Sequence, residues 1–277
     1  MQYFPVTDWD DAYSNIDHVP DAEGTIARLP VLAQEYREKL ASEGRARLDV
    51  SYGPGERNRT DFFEPAGDSR GLFIFVHGGY WRRFSRDMWS HLAHGALERG
   101  YSVAMPSYTL CPDIRISGIT REVGEAVIHA AGQHDGPIRL AGHSAGGHLA
   151  ARMVCANSPL PTNVRERIRL AMAISPVTDL RPLLRLNINE TLQLDAGEAA
   201  SESPALLEPM DGLRMVCWAG QSELFEFVRH NRLLANVWHG LGAQIRLVEE
   251  ANKNHFTVTD GLADPDSPIC RTLFGHG

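Results

Sequence analysis

The sequence predicts an α/β protein built on a mainly parallel sheet with helices on both faces. Three observations carry that prediction. Short apolar runs alternate with helix-like stretches along most of the 277 residues. The runs are continuously apolar rather than alternating, as in strands buried on both faces. The connections are short, as strand–helix–strand units require.

"ARLDVSYG" and "TDFFEPAG" come before the alternation and read as an antiparallel hairpin at one sheet edge. "GLFIFVHGG" (Gly71–Gly79) is a buried strand that ends in glycines. "MWSHLAHGALERG" (Met88–Gly100) reads as a helix that Gly100 stops. "YSVAMPSY" is a strand ending at Pro106. "ISGITREVGEAVIHAAGQH" is a helix, with Ile119, Val123, Ala126, Val127 and Ala130 on one face. "IRLAGHS" is the next strand and "AGGHLAARMVCAN" the next helix. "IRLAMAISPV", "LRMVCWAG" and "AQIRLVEEA" are further strands, and "LFEFVRHNRLLANVWHGLG" is the helix before the last of them. Asp179–Asp211 breaks the rhythm with prolines and short helical patches. It reads as a short lid-like insertion within a single domain spanning residues 1–277.

The net charge is -8, from 27 basic and 35 acidic side chains. An acidic balance disfavours nucleic acid or an anionic membrane as partner, since both reward basic patches. A small-molecule substrate is the expected partner, and a homodimer is compatible with the sequence. Cys111, Cys155, Cys217 and Cys270 form no CxxC pair, which reads as free thiols in a reducing compartment. The opening "MQYFPVTDWDDAYSN" is acidic and lacks the basic and apolar regions of a secretion signal. No apolar run approaches the roughly 20 residues of a spanning helix. A cytoplasmic location is expected. There is no HExxH, no Cys/His cluster with metal spacing and no GxGxxG, so no metal and no cofactor are expected.

The chemistry is carried by "LAGHSAGGHLAA". Within it Gly142-His143-Ser144-Ala145-Gly146 is a G-x-S-x-G. Chance produces that pattern in about one chain in ten of this length. Its placement, after an apolar strand and at the start of a helix, is that of a nucleophile elbow, with Ser144 raised above the sheet. The alternative is a glycine-rich turn with an incidental serine. The earlier strand ends in "HGGYW" (His77–Trp81). Its glycines allow close backbone approach, so N–H groups of Gly79 and Tyr80 can join that of Ala145 around a developing oxyanion. Trp81 reads either as a wall of the acyl pocket or as ordinary core.

A triad on this pattern runs Ser, acid, His along the chain. His255, after the last strand, is the best base, ahead of His230 and His239 on the preceding helix and His143 and His148 around the serine. Glu223, after "LRMVCWAG", is the natural acid, with Glu226 and Asp179 as rivals. A solvated loop carboxylate is the bland alternative for Glu223.

The chain resembles the α/β-hydrolase-type kynurenine formamidases (arylformamidases) and their esterase-like bacterial relatives. The resemblance spans nearly the whole chain and rests on "LDVSYGPGERNRTDFFEP", "FIFVHGGYW", "VAMPSYTLCP", "LAGHSAGGHLAA" and "NHFT". It implies an α/β-hydrolase fold, with Ser144 and His255 as nucleophile and base. Glu223 falls where the family usually has aspartate. The implied substrate is N-formylkynurenine, cleaved to kynurenine and formate; a small-acyl ester or another amide is the alternative. Trp81, Tyr108, Phe225 and Phe256 are the candidate aryl contacts. A third expectation is a binding protein of the same fold that has lost catalysis.

Overall fold

The computed structural model describes residues 5–275. The first four residues of the stretch read for a leader lie outside them. Eight strands form one sheet: β1 (Ala46–Ser51), β2 (Arg59–Phe63), β3 (Leu72–Val76), β4 (Ser102–Pro106), β5 (Ile138–His143), β6 (Ile168–Ile174), β7 (Arg214–Gly220) and β8 (Gln244–Glu250). Their spatial order is β1-β2-β4-β3-β5-β6-β7-β8. The β1–β2 and β2–β4 pairs are antiparallel and all others parallel, so the expected leading hairpin sits at one edge.

Eleven helices are described: α1 (Trp9–Tyr13), α2 (Asn15–His18), α3 (Ala22–Ser42), α4 (His94–Glu98), α5 (Ile116–Gln133), α6 (Ala145–Met153), α7 (Thr162–Arg165), α8 (Asn189–Leu192), α9 (Ala196–Ser201), α10 (Phe225–Gly240) and α11 (Pro268–Phe274). One sheet face packs on α5, α6 and α10 through residues such as Val123, Leu149 and Trp238. The other packs on α3, α4 and α11 through Leu40, Leu97 and Leu273. The central strands β3 and β4 are buried along their whole length, as their unbroken apolar runs require.

The helix expected over Met88–Gly100 is a correction. Tight turns at Arg86–Met88 and Ser90–Ala93 precede the short α4. Trp89 leaves the helical region at φ -122° and ψ 2°. Its ring packs on Phe75 and Phe84 instead, so burial outweighs helical continuity there. The helix after Ser144 ends at Met153, four residues early. Backbone bonds from Met210 to Val154 and from Ala156 to Glu208 replace its last turn. The 21-residue α3 had no counterpart in the sequence expectations. Its buried Leu29, Ala33, Arg37 and Leu40 recur at helical spacing. Buried Arg37 pairs with the fully buried Asp61 on β2, which anchors the helix.

Order along the sheet changes direction at β3, which lies between β4 and β5. Such a switch point opens a crevice at the carboxyl ends of the strands. Val76 of β3 pairs with Gly142 of β5, so the loops that follow them leave the sheet side by side.

Candidate active site

Ser144 stands between β5 and α6 with φ 56° and ψ -118°. This is a sparsely populated backbone conformation for an L-residue, held here by its surroundings. A Cβ at Gly146 would lie 2.1 Å from the Val76 carbonyl oxygen, and one at Gly142 would lie 2.1 Å from that of Gly146. Glycine at both positions therefore lets α6 start directly against β3. The Ser144 N–H donates to the Ile174 carbonyl at 2.8 Å, and the Ser144 carbonyl accepts from the His148 N–H at 3.0 Å. Ala145 is the first residue of α6, where an N–H has no acceptor within the helix.

The His77–Trp81 loop lies across this turn. A Cβ on Gly78 would come within 3.0 Å of the Ser144 Cβ. Gly79 has φ 112°, and Tyr80 and Trp81 follow in the left-handed region at 50° and 55°. The Gly79 carbonyl accepts from the N–H groups of Arg82 and Arg83, which closes the turn. Among the described residues, nothing accepts from the N–H of Gly79 or Tyr80. His77 holds the loop from below. Its Nδ1–H donates to the Gly78 carbonyl at 2.8 Å, and its ring stacks on Tyr108 at 4.4 Å. Burial draws the His77 ring down to about 4, so it is neutral at pH 7.

His255 sits in the turn after β8. The Asn254 Oδ1 accepts from the N–H groups of Phe256 and Thr257, both at 3.0 Å, and so fixes that turn. His255 Nδ1 lies 2.7 Å from Glu223 Oε2. The other carboxylate oxygen, Oε1, accepts from the Gly220 N–H at 2.7 Å and from the Ser175 hydroxyl. Glu223 is therefore no solvated loop carboxylate: its side chain has 0% exposure. With Oε2 accepting, Nδ1 carries the ring proton and Nε2 presents a lone pair.

His143 Nε2–H donates to the His255 carbonyl at 2.9 Å, and the two rings are 4.7 Å apart. Burial first, and the neighbouring His255 next, hold His143 well below its usual value. No hydrogen bond joins Ser144 to His255 among the described residues; in unliganded enzymes such bonds commonly tighten only with substrate in place.

Ser144, His143, Gly79, Tyr80, His255 and Phe256 line one cavity of about 630 Å³. Its wall also takes in most of the segment from Asp8 to Asp17, Arg82–Phe84 and Trp89, and Leu186–Ile188 with Glu190 and Thr191 from the stretch read as a lid. That stretch is tied down by Arg115 to Asp195 and Glu198, and by Thr120 and Arg152 to Glu202.

The competing groups are otherwise engaged. Glu226 accepts from Tyr13 and pairs with Arg229. Asp179 pairs with Arg181. His230 bonds Tyr13 and the N–H groups of Thr178 and Asp179. His148 Nε2–H donates to the Glu202 carbonyl at 2.6 Å. His239 is exposed at a separate depression beside β7 and β8.

Three expected aryl contacts need correction. Trp81 is fully buried beneath the loop, edge-on to His148. Tyr108 is fully buried, and its hydroxyl donates to the His77 carbonyl. Phe225 is 44% exposed at the start of α10, outside the cavity wall. A residue's place in the sequence next to a motif does not fix the direction of its side chain. Phe256 does line the cavity. Ser175, Asn254 and Tyr13 went unremarked in the sequence. Ser175 directly follows β6 in "AISP" at φ 47°, and a small hydroxyl residue just past a strand's carboxyl end is the available signal.

A strand order of this kind, an elbow serine beside a glycine loop, and a buried carboxylate–histidine pair together define a hydrolase of the α/β class. The chain belongs to the alpha/beta hydrolase family, whose model matches residues 73–274. It is 27% identical over 272 residues to the kynurenine formamidase of Salmo salar, covering 94% of this chain and 92% of that one. It is also similar to a solved structure from Silicibacter sp. TM1040, provisionally assigned as a thioesterase. That match has 45% identity, a TM-score of 0.90, and coverage of 95% and 98% of the two chains. The hyperthermophilic esterase of Pyrobaculum calidifontis shares the fold at a TM-score of 0.67 and 18% identity, over 91% of this chain and 89% of that one. No helix among the described residues is long and apolar enough to cross a membrane.

Proposed function

We propose that this protein is a serine hydrolase that cleaves an aryl formamide such as N-formylkynurenine. One observation carries the reading: His255, held by the buried Glu223, shares a cavity with Ser144 and with the unpaired N–H groups of the glycine loop. Ser144 Oγ attacks the formyl carbon while His255 Nε2 takes its proton. N–H groups of Gly79, Tyr80 and Ala145 hold the oxyanion, and losing one such donor typically costs about 3–4 kcal/mol. The C–N bond breaks as His255 returns the proton to the aryl amine. Water, deprotonated by His255, then frees formate from Ser144. Residues 179–211 act as the roof of this site, joined by the N-terminal segment.

Similarity to formamidases over most of the chain supports the formamide. So does the wall itself, where Tyr13, Tyr80, Phe84, Trp89 and Phe256 offer aromatic surface to an aryl leaving group. The second reading is a small-acyl ester or thioester, favoured by the relative at 45% identity. A polyanionic thioester carrier fits poorly here, because the wall carries Asp8, Asp10, Asp11, Asp17 and Glu190 against only Arg82 and Arg83. Measuring kcat/KM for N-formylkynurenine, an aryl acetate and an acyl-coenzyme A separates the readings. The formamide should be turned over best. Formamide hydrolysis at the uncatalysed rate would end the first reading. Absence of Ser144 labelling by a fluorophosphonate would end the serine mechanism.

A further inference from the structure

His143 is a buried histidine that the reaction above does not use. It is the last residue of β5, directly before Ser144. A carbonyl only accepts, so the 2.9 Å bond to the His255 carbonyl places the ring proton of His143 on Nε2. Burial, and next the neighbouring His255, hold this ring well below its usual value, so it is neutral at pH 7. Its Nδ1 is then a bare acceptor, buried without a partner among the described residues. An unpaired buried acceptor is destabilising, and a leucine would fill the space without one. Packing beside Trp89, whose ring centroid lies 6.0 Å away, therefore does not account for a histidine here. What the histidine supplies, and an apolar side chain does not, is the Nε2–H.

That donor reaches a part of the base that no other hydrogen bond holds. The turn carrying His255 is tied on either side of it. The Lys253 carbonyl accepts from the Ser222 N–H at 2.9 Å, and the Asn254 carbonyl accepts from the Val258 N–H at 3.0 Å. Among the described residues, the His255 main chain makes no backbone–backbone hydrogen bond of its own. Its ring is bonded to Glu223 through Nδ1 and is flanked by His143 at 4.7 Å and Phe227 at 4.4 Å. A single bond at Nδ1 lets the ring swing about Glu223 unless the main chain from which it departs is also fixed. The bond from His143 fixes it, and His143 adjoins Ser144 in the chain. Base and nucleophile are thus set against each other through one side chain.

We propose that His143 is a positioning residue for the base: its Nε2–H, donated to the His255 carbonyl, sets the reach of His255 toward Ser144. The proposal deepens the serine-hydrolase reading and rests on it. Its test compares His143→Leu, His143→Gln and His143→Asn by kcat and KM on an activated aryl ester and by the rate at which a fluorophosphonate labels Ser144. Glutamine carries an amide N–H at the reach of Nε2, whereas asparagine stops one methylene short. His143→Leu and His143→Asn should each lower kcat and the labelling rate by about 10²-fold, with KM within about threefold, because a misplaced base is felt in the chemical step. His143→Gln should recover most of that loss, to within about fivefold of the unsubstituted protein. A purely structural side chain would give no such split. Full rates in His143→Leu would overturn the proposal. So would a glutamine variant as slow as the leucine one, or an asparagine variant as fast as the glutamine one, since the donated proton would then be irrelevant. If His143→Leu fails to fold, as a thermal melt reports, the contrast between glutamine and asparagine decides alone. Absence of labelling in the unsubstituted protein would strike the serine reading itself. Normal labelling there, undiminished in His143→Leu, would strike this proposal alone.

Discussion

Replacing Glu223 by glutamine tests the proposed relay through its proton inventory. In the native site Oε1 accepts from two donors, the Gly220 N–H and the Ser175 hydroxyl, and Oε2 accepts from His255. A glutamine has one acceptor oxygen. Two fixed donors draw it to the Oε1 position, so the amide NH₂ faces His255 Nδ1. Nδ1 must then accept, and the ring proton moves to Nε2. A protonated Nε2 cannot take a proton from Ser144. Tautomer inversion of this kind lowers kcat by about 10⁴-fold, which corresponds to about 5.5 kcal/mol. The hydrogen-bond count hardly changes, so Tm should stay within a few degrees. Glu223→Ala does the reverse. It strands up to three buried donors, at about 1–3 kcal/mol each, and should lower Tm by on the order of 10 °C. It imposes no wrong tautomer, so it should retain at least as much activity as the glutamine variant. The assay is kcat/KM on an activated aryl ester, paired with thermal melts of each variant. Activity of Glu223→Gln within about tenfold of the unsubstituted protein would refute the reasoning. So would a larger loss from Glu226→Gln or Asp179→Asn.

Ser144→Ala should reduce turnover by roughly 10⁶-fold and remove fluorophosphonate labelling while leaving the melt nearly unchanged; mass spectrometry of the labelled protein and single-turnover assays check both. Gly79→Ala should lower kcat by about 10²-fold or more, because its Cβ would fall 2.3 Å from the Arg83 oxygen at φ 112° and push the loop off the oxyanion. Normal kinetics in that variant would place the oxyanion donors elsewhere. Stability should fall with acid. Burial holds His77 and His148 down to about 4 and His230 down to about 3, against roughly 6.5 in the unfolded chain. The unfolded state therefore binds more protons between those values, and each ring withdraws on the order of 3 kcal/mol as pH drops from about 6.5 to its folded value. Together these losses rival the whole stability of a typical domain, so melts at pH 7, 6 and 5 should show a steep decline. A flat Tm over that range would contradict neutral burial of these rings.

The central sheet was legible because its strands are buried on both faces, and unbroken apolar runs such as "LFIFV" have few other uses. The motif glycines were legible for a related reason: Gly142 and Gly146 sit where a Cβ would strike backbone, a constraint visible as a pattern. Legibility failed where tertiary contacts overrule local preference. Trp89 breaks its helix to reach the core, and Trp81 turns under its loop rather than into the cavity. The partners of Glu223 show a second kind of failure. Ser175, Gly220 and Glu223 come from the ends of two neighbouring strands, and only the β6–β7 pairing brings them together. The acid could be chosen by its place in the chain order, but the reason it can serve as a glutamate could not. Its longer side chain folds back, so that Oε1 meets its own turn at Gly220 while Oε2 reaches the histidine. That geometry makes an aspartate a poor replacement here. Glu223→Asp shortens the reach by one methylene and cannot satisfy the Gly220 N–H and His255 together.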